Sequence, residues 1–272
     1  MKREDIRIAI LRIEGTNCED ESFRAFAELG VQPEYVHLNE LMRNRNRSIF
    51  DYQGIFIPGG FSSGDYVRAG AIFAARIKAL MMNELKKFVE EGYPIVGICN
   101  GFQVLIELGL IPAIGGISDV PEAALAVNDS DRFECRPTLL KHESVLPLTS
   151  KVEKGEVLLI PSAHMEGKFM LPEGKEEKYL EQMEENGQIV FRYVNEEGKE
   201  AGYPWNPNGS ISNIAGICNP EGNVLGMMPH PERAFYSWQH PKWNGGRGVA
   251  EGNGEGDGRA IFESIVSYIE SL

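Results

Sequence analysis

Three observations predict a doubly wound α/β fold, a mostly parallel sheet with helices on both faces. Strand-length apolar runs alternate with helix-length amphipathic segments through the first half of the chain, the pattern of parallel strands joined by helical crossovers. The runs "IFIPGG" and "PIVGIC" are apolar on both faces, as befits strands covered by helices on each side. Gly30, Gly92 and Gly109 close the helical segments, where a C-terminal residue in the left-handed region is favoured.

The elements follow in order. Strands are expected at 6–13, 34–38, 54–57 and 94–98, and helices at 19–30, 77–91 and 101–109. The second half is richer in strands, at 139–141, 144–146, 157–160, 188–194, 214–218 and 224–228, the last two forming a hairpin-like pair around Asn219-Pro220-Glu221-Gly222. Residues 173–186 read as a charged surface helix. The stretch 245–258 holds seven glycines and reads as a flexible loop, and a helix over 259–271 closes the chain. With 272 residues and 42% hydrophobic content, a single domain over 1–272 can bury a full core.

A formal charge of −13 excludes a nucleic-acid or anionic-membrane surface, because phosphate binding is driven by clustered Lys and Arg. The alternating Arg43, Arg45 and Arg47 run reads as a solvated loop. The N-terminus is too short and too charged for a secretory signal, and no run approaches the ~18 apolar residues that span a bilayer. Cys18, Cys99, Cys135 and Cys218 are widely spaced and include no CxxC pair, so reduced thiols in the cytoplasm and no metal site are expected.

The chemistry starts at "VGICNGFQVLIELG". A strand that ends in Gly97-Ile98-Cys99-Asn100-Gly101 and turns directly into a helix is the thiol version of a nucleophile elbow. The turn is so sharp that a side chain at Gly97 or Gly101 would strike a neighbouring element. Cys99 sits at a helix N-terminus, where the dipole favours thiolate by roughly 0.3–1 kcal/mol when exposed and up to ~2 kcal/mol when partly buried. The alternative for Cys99 alone is a structural thiol among small residues.

A nucleophile needs a base, and a base needs an orienting group. His230 follows the strand 224–228 between Pro229 and Pro231, with Glu232 two residues on. In an extended segment both side chains project to one side, so Glu232 can accept a hydrogen bond from the imidazole and fix its tautomer. Cys99 and His230 would both emerge at the carboxyl edge of the sheet. His37 reads as a packed strand residue, and His142 and His240 as exposed histidines. The strand ending in Pro58-Gly59-Gly60 leaves a loop able to approach a ligand and to supply an oxyanion donor.

With "PGG", "GICNGFQ" and "PHPE" on the page, the chain resembles the class I, or triad, glutamine amidotransferases, which have a flavodoxin-like fold. The match runs from about residue 6 to 235. The stretches "GTNCEDE", "PGGFSSGDYVRAGA", "GICNGFQVL" and "MPHPERAF" are similar to the glutaminase subunits of phosphoribosylformylglycinamidine synthase, in purine biosynthesis. The resemblance implies that Cys99 attacks the side-chain amide of glutamine to give a thioester, His230 moves the protons and Glu232 holds His230. It implies oxyanion donors at Gly60 and Asn100, a glutamine contact at Gln103, and a border of the glutamine site formed by Asn17, His164 and Glu166. It further implies no cofactor in this chain, ammonia transfer to a separate synthetase subunit that binds ATP and magnesium, and a small bridging subunit. Residues 166–205 read as an expansion, and the chain continues past the short members of that family. A stand-alone γ-glutamyl thiol hydrolase and a non-catalytic redox or regulatory module remain the alternatives.

Overall fold

The computed structural model describes residues 1–43, 47–241, 243 and 254–272. The first half alternates as expected: β1 (Arg7–Arg12), α1 (Glu19–Glu28), β2 (Gln32–His37), α2 (Leu38–Arg43), β3 (Gly54–Ile57), α3 (Ala71–Glu90), β4 (Ile95–Ile98) and α4 (Asn100–Leu108). Then come β5 (Ala124–Ala126), β6 (Glu134–His142), β7 (Val157–His164), β8 (Lys168–Met170), α5 (Glu176–Glu185) and β9 (Ile189–Val194). The hairpin β10 (Ile214–Cys218) and β11 (Val224–Met227) and the helix α6 (Arg259–Ser271) complete the fold.

One nine-stranded sheet runs in the order β2-β1-β3-β4-β11-β10-β9-β6-β7. The strands from β2 to β11 pair in parallel, and those from β11 to β7 pair antiparallel. Strands β5 and β8 form a separate antiparallel ribbon. On one face Phe26 of α1, Phe56 of β3 and Phe262 of α6 pack with centroids 4.9 to 5.7 Å apart. Ile57, one residue on, points to the opposite face, where α4 crosses. The buried apolar core is continuous from Ile6 to Ile269.

Four parallel strands set the site. The segments after β1 (Thr16 to Cys18), β3 (Pro58 to Asp65), β4 (Cys99) and β11 (Met228 to Glu232) all leave from carboxyl ends, where ligands bind in doubly wound folds. The first two are stitched together: Thr16 and Gly60 bridge, and the N–H groups of Asn17 and Cys18 both donate to the Gly59 carbonyl, at 3.3 and 3.2 Å.

Four expectations are corrected. Helix α3 begins at Ala71 rather than 77, because Gly70 in the left-handed region (φ 77°) starts it without a capping side chain. Residues 144–146 are not a strand: Thr149 bonds back to Leu146 through both its N–H and its Oγ1, and Pro147 starts a 3-10 turn. His142 is fully buried, with its ring held by Thr149 Oγ1 at 2.9 Å and the Glu153 carbonyl at 3.1 Å. His37, by contrast, is a strand residue as expected, the last of β2, half-buried with its Nδ1 accepting from the Asn39 N–H at 3.1 Å. Of the arginine run, Arg47 is drawn inward by Glu34, Glu40 and Tyr52, while 44–46 lie outside the described residues. So do residues 245–253 of the glycine-rich stretch.

The elbow's glycines are required by contact. A Cβ on Gly101 would sit 1.9 Å from the Ile57 carbonyl oxygen, and one on Gly97 would sit 2.5 Å from the Gly101 carbonyl oxygen. Neither neighbour is a flexible side chain. Gly101→Ala is expected to cost at least about 2 kcal/mol of stability, read as a lowered midpoint in denaturant, and an unchanged midpoint would refute the close approach.

Candidate active site

Cys99 ends β4 and caps α4 with φ 51° and ψ −106°, a left-handed conformation that costs a non-glycine residue about 1–3 kcal/mol. The strain is held by its own N–H, which donates to the Met227 carbonyl of β11 at 2.8 Å, and by the helix that starts at the next residue. The thiol is 6% exposed and its Sγ lies 3.7 Å from the Ala163 carbonyl oxygen. No carbonyl accepts from the N–H of Asn100 or of Gly60 among the described residues. Both donors are therefore free for an oxyanion beside the sulfur.

His230 Nδ1 and Glu232 Oε1 are 2.5 Å apart, and both residues are buried. The segment is extended only at His230; Pro231 then opens a 3-10 turn over Pro231–Arg233, and the carboxylate reaches the ring from that turn. Burial alone would keep the imidazole neutral. The Glu232 carboxylate and the Cys99 sulfur outweigh it, so the His230 pKa stands well above the ordinary range. Among the described residues Nε2 is left without a hydrogen-bond partner, available to a proton from Cys99. Gly59 is the floor on which they meet: a Cβ there would lie 2.8 Å from His230 Cε1 and 3.3 Å from the Cys99 Cβ.

The cavity in front of Cys99 is walled by Gly60, Asp65, Gln103, His164 and Glu166. Its volume is about 30 Å3. Part of that wall is latched. Gln103 Nε2 donates to the Glu166 carbonyl at 2.5 Å, and Asn100 Nδ2 donates to Gln103 Oε1 at 2.9 Å. Asn17 is not in the wall; it packs behind Gly60, where a Cβ would be 2.7 Å from its N and Oδ1.

Two features were not singled out from sequence. Asp65 follows two left-handed residues, Ser63 and Gly64, and faces Glu166 across the cavity. Burial and the Glu166 charge push its carboxyl up to about 6. The nearby Arg68 is committed to Glu107, so among the described residues neither Asp65 nor Glu166 has an ion pair. The second is Cys18, which caps α1 and accepts from Arg233 Nη2 at 3.1 Å. Burial pushes the Cys18 thiol up against the opposing pull of His230. The motif "GTNCEDE" holds it in plain view, yet its partners come from the far end of the chain.

The tautomer of His164 is fixed by logic that starts at a backbone donor. The Ser210 N–H can only donate, so the Asn208 atom facing it at 3.0 Å is the carbonyl Oδ1, which also accepts from Ser210 Oγ at 2.7 Å. Asn208 Nδ2 therefore donates to His164 Nε2 at 3.0 Å. Burial lowers the His164 pKa to about 3, with the neighbouring His230 adding to the shift. The ring is neutral, its proton is on Nδ1, and that N–H is buried with no partner among the described residues.

The chain matches the model of the CobB/CobQ-like glutamine amidotransferase domain over residues 5–269. It is 54% identical to phosphoribosylformylglycinamidine synthase subunit PurQ of Archaeoglobus fulgidus, covering 100% of both chains. It is 50% identical to the subunit of the same name from Picrophilus torridus, over 86% of this chain and 89% of that one. Among solved structures, "Structure of PurLQS from Thermotoga maritima" contains a chain 34% identical, with TM-score 0.71, covering 97% of this chain and 99% of that one. This chain belongs to the class I glutamine amidotransferases and, within them, to the PurQ glutaminase subunits of phosphoribosylformylglycinamidine synthase.

Proposed function

We propose that Cys99, His230 and Glu232 carry out the glutamine hydrolysis of this subunit. The observation that carries the reading is the buried 2.5 Å contact between His230 and Glu232 with the opposite ring nitrogen open. Cys99 gives its proton to Nε2 and its sulfur bonds to the γ-amide carbon; the oxyanion is met by the N–H groups of Gly60 and Asn100. The imidazolium then protonates the leaving nitrogen, ammonia departs, and the C–S bond remains as a γ-glutamyl thioester. Water, deprotonated by the same ring, cleaves it to glutamate and restores the thiol. Glu232 stabilises the imidazolium in both halves of the cycle.

The cavity's charge fits the substrate's other end. Asp65 and Glu166 are two carboxylates without a cation, and the α-ammonium of glutamine supplies one. Gln103 exchanges its latch to the Glu166 carbonyl for contacts with the substrate. His164 and Asn17 act around them, the first as a neutral donor and the second as support for Gly60. Hydrolysis at this site uses side chains and backbone alone. ATP and magnesium belong to the synthetase, which receives the ammonia, and a small bridging subunit joins the two. With no helix long and apolar enough to cross a membrane among the described residues and four free cysteines, we place the work in the cytoplasm.

Three outcomes test this. In the assembled synthase, Cys99→Ala is expected to abolish glutamine-dependent synthesis and leave synthesis from ammonium intact; retained glutamine use would dismiss the nucleophile. Asp65→Asn is expected to raise the KM for glutamine about tenfold with a smaller change in kcat, the loss of one ion pair worth about 1.4 kcal/mol; an unchanged KM would remove Asp65 from the ammonium site. In nitrogen-15 histidine spectra, His164 is expected to remain the neutral Nδ1–H form down to about pH 5. Asn208→Asp reverses the hydrogen bond and moves that proton to Nε2, and a spectrum showing Nε2–H in the parent protein would refute the orientation of Asn208.

A further inference from the structure

The two oxyanion donors sit on different segments, and one side chain joins them. Gly60 belongs to the loop after β3, which is fastened to the β1 side: the Phe61 and Ser63 N–H groups donate to the Gly15 and Glu14 carbonyls at 2.9 and 2.8 Å, beside the Thr16–Gly60 bridge. The Asn100 N–H belongs to α4, on the β4 side. Pairing between β3 and β4 ends at Ile57 and Gly97, before either donor is reached. Past that point, among the described residues, the only hydrogen bonds between loop 58–65 and α4 are made by the side chain of Asn100.

That side chain is 2% exposed, and its orientation follows from its partners. The Ser62 N–H can only donate, so the atom facing it at 3.3 Å is Oδ1. Nδ2 then donates to Gln103 Oε1 at 2.9 Å and to Asp65 Oδ1 at 3.4 Å. Oxygen and nitrogen are both used, and a buried amide with its partners in place holds one geometry. An apolar group in its stead would leave the buried Ser62 N–H unpaired, which the loop can relieve only by shifting.

We propose that the Asn100 side chain is a positioning residue for the oxyanion hole: it fixes the gap between the Gly60 and Asn100 N–H groups by tying the loop of the first to the helix of the second. The inference rests on the reading that those two groups meet the oxyanion. The part played by the side chain is separable from donation by its own backbone, because a substitution other than proline keeps that N–H. Donors act only within reach of the place the oxyanion will occupy, so a loop that drifts weakens the transition state more than it weakens bound glutamine.

The test is made in the assembled synthase, by glutamate release over a range of glutamine concentrations. Asn100→Ala is expected to lower kcat about 10–100-fold, part of the loss that follows outright removal of an oxyanion donor, and to change KM by less than about threefold. An unchanged kcat, or an effect confined to KM, overturns the inference. Alkylation by iodoacetamide separates a displaced donor from a damaged nucleophile: the Cys99 sulfur bonds to carbon as iodide leaves, and no oxyanion forms. It is followed at the peptide that contains Cys99, since Cys135 is exposed. Its rate in Asn100→Ala is expected to stay within about twofold of the parent; a fall parallel to kcat places the fault at the sulfur and overturns the inference. Should Asn100→Ala not fold, Asn100→Asp has nearly the same volume and retains an oxygen for the Ser62 N–H. It is expected to keep kcat within about threefold and to raise KM instead, because its second oxygen faces Asp65 and Gln103 without a proton to donate. A loss of kcat of about tenfold or more in that variant also overturns the inference. None of these outcomes bears on Cys99→Ala, so an error about Asn100 is told apart from an error about the nucleophile.

Discussion

The site depends on one close approach: the backbone of Gly101 lies against the Ile57 carbonyl, with no space for even a methyl group between them. That approach lets α4 start one residue after Cys99 and forces the cysteine into a left-handed turn. The turn places the sulfur where three other strand ends converge. Gly59 lies beneath the imidazole because β3, β4 and β11 are neighbours at that edge, and the Ala163 carbonyl reaches the thiol from the end of β7. The stability of the sheet sustains the strain at its tip.

Around that point the structure separates two histidines that start with the same chemistry. Beside a buried carboxylate His230 is made readily protonated, whereas His164, facing the amide of Asn208, is kept neutral. Each shift supports the other, because a charge on one ring disfavours a charge on the next. Linkage gives the pair a direction with pH. His164 keeps its neutral form to about 3 while an unfolded histidine takes up a proton near 6.5, so its burial withdraws stability progressively as pH falls through that window. His230, with its pKa raised, contributes most below the unfolded value and loses that contribution as pH rises through the folded one.

Much of this was legible in the chain because the signals are local. The elbow is a five-residue pattern, His230 and Glu232 are two apart, and the apolar runs that become β3 and β4 carry no polar interruption. What escaped is what tertiary folding assembles. Cys18 has its neighbours in Arg233 and His230, and Asn208 meets His164 from a loop with no periodicity. Asp65 gains its meaning from Glu166, on another segment. His142 was misread for the same reason: a lone histidine in a polar stretch looks solvated until Thr149 and the Glu153 carbonyl close over its ring.

One backbone contact has a mechanical consequence. The N–H of His230 donates to the Pro161 carbonyl of β7 at 2.8 Å, tying the base to the last strand of the antiparallel wing while the nucleophile rides on the parallel one. The base is thus held from two sides, by β11 next to the strand that carries Cys99 and by the outer strand β7. A load on the outer wing would be transmitted as a misfit between ring and sulfur, with neither of them touched.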